Sequence, residues 1–192
     1  MRIALNVKNL NYEYIAVNLV KNEQGVEDYM KKNPMGLVPS LEITDGVYLH
    51  QSMAILEYLE EMYPDVPLLP KDSVSRCIIR SMCMIIVADT QPLQNLKILN
   101  RVGETKMEWG HKIIVDGLTA FERVACKYTK GYSFGDSITL ADICLVPQVY
   151  NAIRFKVDMT QFPTIRKIMD KLKDLNEVEM AHPKHMPDAV QE

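Results

Sequence analysis

Two neighbours, Gln51 and Ser52, carry the clearest chemical signal in this 192-residue chain. They stand between an apolar stretch, Val47-Tyr-Leu49, and a run with Ile55, Leu56, Leu59 and Met62 at helical spacing. Ser52 is predicted as the helix N-cap, its hydroxyl accepting from a first-turn N–H. A helix entered directly from a strand aims free backbone N–H groups outward, and such an end suits an anion. The other reactive side chains offer less. Cys77, Cys83, Cys126 and Cys144 have neither C-x-x-C nor metal spacing and lie in helix-like apolar runs, which predicts buried, reduced thiols. His182 and His185 form H-x-x-H in a proline-bearing tail with no acidic partner in view, so no metal is expected. Trp109 reads as helix-face packing, as at an interface, and His50 as a strand-edge residue.

The elements that position these groups follow from local pattern. Asp45-Gly46 separates Leu41-Glu-Ile43 from Val47-Tyr-Leu49 and predicts a two-residue hairpin, because Asp and Gly tolerate positive φ. Pro39 opens the first of those strands, and an X-Pro bond is the kind that turns cis at modest cost. Residues 12–19 alternate, with Ile15, Val17 and Leu19 on one face, which argues for a strand. Residues 1–8 read as a helix fragment. The proline-rich stretch 65–72 separates this mixed half from a helical remainder. There, residues 73–101 form a long helical pattern that Pro92 breaks near Thr90, and residues 105–128 a second. Thr139 and Asp142 make a capping box flanked by the staple pair Ile138 and Ile143. Residues 162–175 form another helix, and the polar tail is expected to cover the surface or fray.

A net charge of −3 and a pI near 5.8 carry no footprint for nucleic acid. The longest uncharged run, residues 143–153, is too short to span a bilayer and contains Pro147. The first residues lack a signal peptide's apolar region. A reducing cytoplasm fits best.

These landmarks resemble the cytosolic glutathione transferases. Asn33-Pro34 with Val38-Pro39 is similar to that superfamily's cis-proline strand, Gln51-Ser52-Met-Ala-Ile55 to its glutamine-serine turn, and Thr139-Leu-Ala-Asp142 to its helix-capping motif. Asn33-Pro-Met35, Gln91-Pro-Leu-Gln-Asn-Leu96, Leu145-Val-Pro-Gln148 and Asn151-Ala-Ile-Arg-Phe-Lys-Val-Asp158 resemble the zeta class, the maleylacetoacetate isomerases. The resemblance implies an α/β plus all-α fold. Residues 1–64 would be a thioredoxin-like glutathione-binding domain, 65–72 a linker and 73–192 an all-helical substrate domain.

The same resemblance implies glutathione-dependent conversion of maleylacetoacetate to fumarylacetoacetate in tyrosine and phenylalanine breakdown, with glutathione transferase side activity. It implies a homodimer with the helices of residues 73–128 at its interface. The cofactor is glutathione and the substrate a small dicarboxylate, with no nucleic-acid or membrane partner. Val38, Pro39, Gln51, Ser52, Gln91, Asn95 and Gln24 are assigned by it to glutathione, and Arg154 to a substrate carboxylate. From the residues alone, Gln91 and Asn95 serve equally to satisfy backbone groups freed at Pro92, and Arg154 to complement a helix C-terminus.

No catalytic residue is identified. In this family a strand and a Ser-Ser-Cys loop, which stabilises the glutathione thiolate, precede the segment similar to Arg2-Ile-Ala-Leu5; neither is present here. Two predicted strands, residues 12–19 and 38–43, would then lose a ladder partner, and a rearranged first domain is expected. The alternative reading is a shortened, non-catalytic dimerisation or binding module of the same fold.

Overall fold

The computed structural model describes residues 1–189. Contacts divide the chain into two units, one of Met1–Val66 with Glu177–Glu192, the other of Pro67–Asn176.

In the first unit, α1 (Arg2–Val7) buries Ile3, Ala4 and Leu5. Six residues are too few for a helix to stand alone, so packing sustains it. A 3-10 turn (Glu23–Gly25) and α2 (Glu27–Lys32) follow. Strand β1 (Ser40–Thr44) pairs antiparallel with β2 (Val47–His50) through the Asp45-Gly46 turn, where Gly46 takes φ 76°. Then α3 (Ser52–Met62) buries Ile55, Leu56, Leu59 and Glu60.

The strand expected over residues 12–19 is not formed. That stretch has no regular structure, and among the described residues the sheet has two strands, β1 and β2. Alternation specifies a face, but a strand exists only when a neighbour takes up its backbone groups. Ile15 and Val20 are left exposed at 67% and 89%.

From Glu177 the chain packs on the first unit. The Asn6 side chain donates to the Glu177 carbonyl, the Arg2 guanidinium to the Ala181 carbonyl, and the Tyr14 hydroxyl to Asp188.

The second unit is helical. Helix α4 (Ser73–Val87) starts at Asp72, whose side chain accepts from the Ser75 N–H at 2.9 Å. The expected break at Pro92 is a 3-10 turn (Gln91–Gln94) leading into α5 (Leu96–Val102). Helix α6 (Lys106–Tyr128) buries the stripe Ile114, Leu118, Phe121 and Ala125. Helix α7 (Leu140–Arg154) begins at the expected capping box. Asp142 is fully buried, accepting from the Ser133 and Thr139 N–H groups and the Thr139 hydroxyl at 2.7–2.8 Å. Helix α8 (Pro163–Leu172) follows, and a single turn, α9 (Asn176–Glu179), leads back to the first unit.

Glycines let α6 approach its neighbours. A Cβ on Gly110 would lie 2.1 Å from the Phe155 ring, and one on Gly117 2.0 Å from the Thr90 hydroxyl.

Cys83 and Cys144 are buried as expected, but Cys77 and Cys126 are exposed. The apolar run of α4 serves two faces. Val74, Cys77, Ser81, Met84 and Ala88 turn outward while Ile79, Met82, Cys83 and Ile86 fill the core. No helix of the described residues is long and apolar enough to cross a membrane.

Candidate functional site

One end of the β1–β2 hairpin gathers the first set of candidate residues. The register pairs Ser40 with His50, so Val38-Pro39 and Gln51-Ser52 extend from the same end, opposite the Asp45-Gly46 turn. The Val38–Pro39 peptide bond is cis.

Asn33, 3% exposed, organises the loop before β1. Its side-chain amide donates to the Leu37 carbonyl at 2.6 Å and the Pro39 carbonyl at 3.3 Å, and its oxygen accepts from the Met35 N–H. The Tyr29 hydroxyl also donates to the Leu37 carbonyl, and burial pushes that phenol's pKa up. The carbonyls on either side of Val38 are thus used internally. Val38 itself, 43% exposed, makes no backbone hydrogen bond to any described residue. It keeps one donor and one acceptor for an extended ligand. Sequence reasoning assigned Val38 but missed Asn33, whose signal was its place just before Pro34.

The predicted cap at Ser52 is corrected. Gln51 is the N-cap of α3 and Ser52 the first helical residue. The chain turns from β2 into α3 within one residue, so Gln51 absorbs the bend at φ 71°, ψ 112°. A non-glycine residue in that region is strained, and such strain clusters at ligand sites. The Gln51 side chain bonds to no N–H of the first turn, and the half-buried Ser52 hydroxyl has no hydrogen bond among the described residues. The first-turn N–H groups and the Ser52 hydroxyl are thus left together at the start of α3, where an anion could take them up.

Gln24 lies in the 3-10 turn behind this loop. A Cβ on Gly36 would sit 3.1 Å from the Gln24 carbonyl oxygen. Its side-chain nitrogen donates to Asn22, while its Oε1 is buried without a partner.

The remaining candidates belong to the helical unit. Gln91 is exposed at the start of the 3-10 turn that holds Pro92. Asn95 caps α5, its Oδ1 accepting from the Ile98 N–H at 3.0 Å, which leaves its amide nitrogen. Arg154 is exposed in the last turn of α7.

Between them lies a cluster that the motifs named without explaining. Buried Gln94 donates from Nε2 to Gln148 Oε1 at 2.7 Å and accepts at Oε1 from the Asn151 amide. Gln148 Nε2 is buried without a partner. Neither Gln94 nor Gln148 was assigned from sequence; an amide is not marked for burial until its partners, over fifty residues away in the chain, are known.

Two further side chains can be placed, and the second reading changes. Trp109 is 41% exposed and donates its indole N–H to the Leu93 carbonyl at 2.8 Å. His185 does have an acidic partner, Glu179, at 3.0 Å. Among the described residues no cluster of three or more His, Cys, Asp or Glu could hold a metal ion.

Residues 1–67 match the family "Glutathione S-transferase, N-terminal domain", and residues 99–181 match "Glutathione S-transferase, C-terminal domain". The mouse maleylacetoacetate isomerase is 44% identical over 195 residues, spanning 100% of this chain and 90% of the relative. A bacterial maleyl pyruvate isomerase, a zeta-class glutathione S-transferase solved in its holo form, superposes with a TM-score of 0.94 at 39% identity, covering 98% of this chain and 93% of that one. A maleylacetoacetate isomerase from Anaeromyxobacter dehalogenans 2CP-1, solved with glutathione in its active site, gives a TM-score of 0.89 at 41% identity, covering 98% and 91%. With this likeness along its whole length, the chain belongs to the glutathione S-transferase family and, within it, to the zeta class that includes the maleylacetoacetate isomerases.

Proposed function

We propose that this chain catalyses the glutathione-dependent isomerisation of maleylacetoacetate to fumarylacetoacetate, a step of tyrosine and phenylalanine breakdown, with glutathione transferase side activity. The observation that carries this reading is the hairpin end where the unused backbone groups of Val38 meet the uncapped start of α3. Both fit the tripeptide: an extended backbone to pair, and a carboxylate to hold.

A double bond must gain single-bond character before it can rotate. Bound glutathione supplies a thiolate that adds to the conjugated alkene and leaves again once the bond has turned. The rest is the chain's work. Val38 offers its N–H and C=O to the cysteinyl backbone as a sheet edge offers them to an added strand, with Pro39 fixing the turn behind it. The first-turn N–H groups of α3, the Ser52 hydroxyl and the Gln51 amide hold the γ-glutamyl carboxylate. Gln24 adds an acceptor from the neighbouring turn. Gln91 and the free amide nitrogen of Asn95 serve glutathione from the helical unit. Arg154 pairs with a substrate carboxylate, for which a guanidinium is matched bidentately.

A cytoplasmic homodimer accompanies this reading. The outward stripe of Val74, Cys77, Ser81 and Met84 on α4, continued by Ala88 at its C-cap, repeats at spacings of three and four, the pattern of a helix seam, and the small side chains of Cys77, Ser81 and Ala88 allow a second copy close approach. Four free thiols suit a reducing compartment. Sedimentation of Val74→Glu/Met84→Glu as a monomer, against a dimer for the unaltered chain, would support the seam.

The functional test is conversion of maleylacetoacetate by this 192-residue chain, with and without glutathione, beside calorimetric titration of glutathione. A glutathione-dependent rate is expected. Binding without any such rate would overturn the isomerase reading and leave a binding module.

A further inference from the structure

Gln94 and Asn151 are the inner members of two matched pairs. In a 3-10 turn, residues three apart eclipse one another, which stacks Gln91 on Gln94. On α7, Asn151 and Arg154 are neighbours on one face at the same spacing. The inner members are hydrogen-bonded to each other, Gln94 being 4% exposed and Asn151 half-buried. The outer members, Gln91 and Arg154, are both exposed.

Gln94 is held from its far side as well, by its 2.7 Å bond to Gln148, which is 2% exposed. Amide hydrogen bonds are directional, and at buried positions water does not replace them. The 3-10 turn therefore cannot slide or rotate along the last turns of α7 without leaving donors and acceptors unmade.

We propose that Gln94, Gln148 and Asn151 are positioning residues whose amide chain sets the separation of Gln91 from Arg154. They touch neither ligand. Through them, the turn that serves glutathione is held in register with the arginine that takes the dicarboxylate. This role rests on the functional reading above, and it explains why a polar network occupies the interior at this point. Apolar side chains of the same size would pack there but would not specify a register.

The test uses the full chain loaded with glutathione and titrated calorimetrically with maleate as the dicarboxylate probe. Gln94→Met keeps the volume and removes both bonds. It is expected to weaken maleate about tenfold. In an Arg154→Met background the same substitution should add less than about twofold, because its effect runs through that arginine. Asn151→Leu, which keeps the Gln94–Gln148 bond, carries the same expectation should Gln94→Met not fold. Gln148→Met, which spares the Gln94–Asn151 contact, should weaken maleate less than Gln94→Met does. Additive losses, or a lower melting temperature with maleate affinity unchanged, would overturn the positioning role and leave the isomerase reading intact. Failure of the unaltered chain to bind maleate would overturn the substrate reading and this role with it.

Discussion

The Lys8 ammonium lies 2.9 Å from Glu60 Oε2, with both side chains buried. Its remaining donors reach the Tyr63 and Val66 carbonyls, each at 2.8 Å. One cation thus ties α1 to the C-terminal turn of α3 and to the segment beyond it. Removing one partner of such a pair leaves an uncompensated buried charge. Lys8→Met is expected to destabilise the first unit by about 3–5 kcal/mol, read as a lowered urea midpoint. Replacing both partners, as Lys8→Met/Glu60→Leu, should recover a good part of that loss.

Ser52→Ala separates capping from ligand binding. The hydroxyl caps nothing, so the stability change should stay within about 0.5 kcal/mol. A hydrogen bond to a carboxylate is worth about 1.5–3 kcal/mol, so glutathione affinity should fall at least about tenfold. A helix-melting loss with unchanged affinity would return Ser52 to a capping role.

At Gly110 the Phe155 ring stands where a methyl group would go, and that ring is 6% exposed and hemmed in. Gly110→Ala should cost about 1–3 kcal/mol through overpacking. Adding Phe155→Leu opens space and should relieve part of the cost in a double-mutant cycle.

Glu179 is held at a pKa of about 2, first by the hydrogen bond from Lys184 and then by that from His185. A carboxyl depressed below its unfolded value of 4.5 stabilises the fold above that pH and loses its contribution as the pH falls toward 2. Amide exchange around Ala181 and His182 should therefore quicken as the pH drops through that window, after correction for intrinsic rates. In Glu179→Gln the extra acid sensitivity should vanish.

How much of this was legible in the sequence depends on how far each signal reaches. Asp45-Gly46, the helical spacing from Ile55 to Met62 and the Thr139–Asp142 box are local, and each stands where expected. The cap at the start of α3 was misplaced by one residue, because the strand-to-helix bend falls on Gln51 and not on the residue whose side chain best suits capping. Residues 12–19 alternate as a strand does, yet their fate turned on a neighbour that the pattern could not supply. The anion that buries Lys8, Glu60, lies fifty-two residues away in the chain, out of reach of any local pattern. Cys77 looked buried because one apolar run fills two faces of α4.

The bonds from Arg2 and Asn6 to the carbonyls of Ala181 and Glu177 give the first unit an order of manufacture. Residues 67–176 are made between its two parts, so the helical unit can finish folding on the ribosome while the hairpin unit still waits for its last segment. Val38 and Ser52 are synthesised early, yet the body that carries them closes only after residue 177 has emerged. The β1–β2 hairpin is thus made before the helical unit, yet it belongs to a body that is completed after that unit.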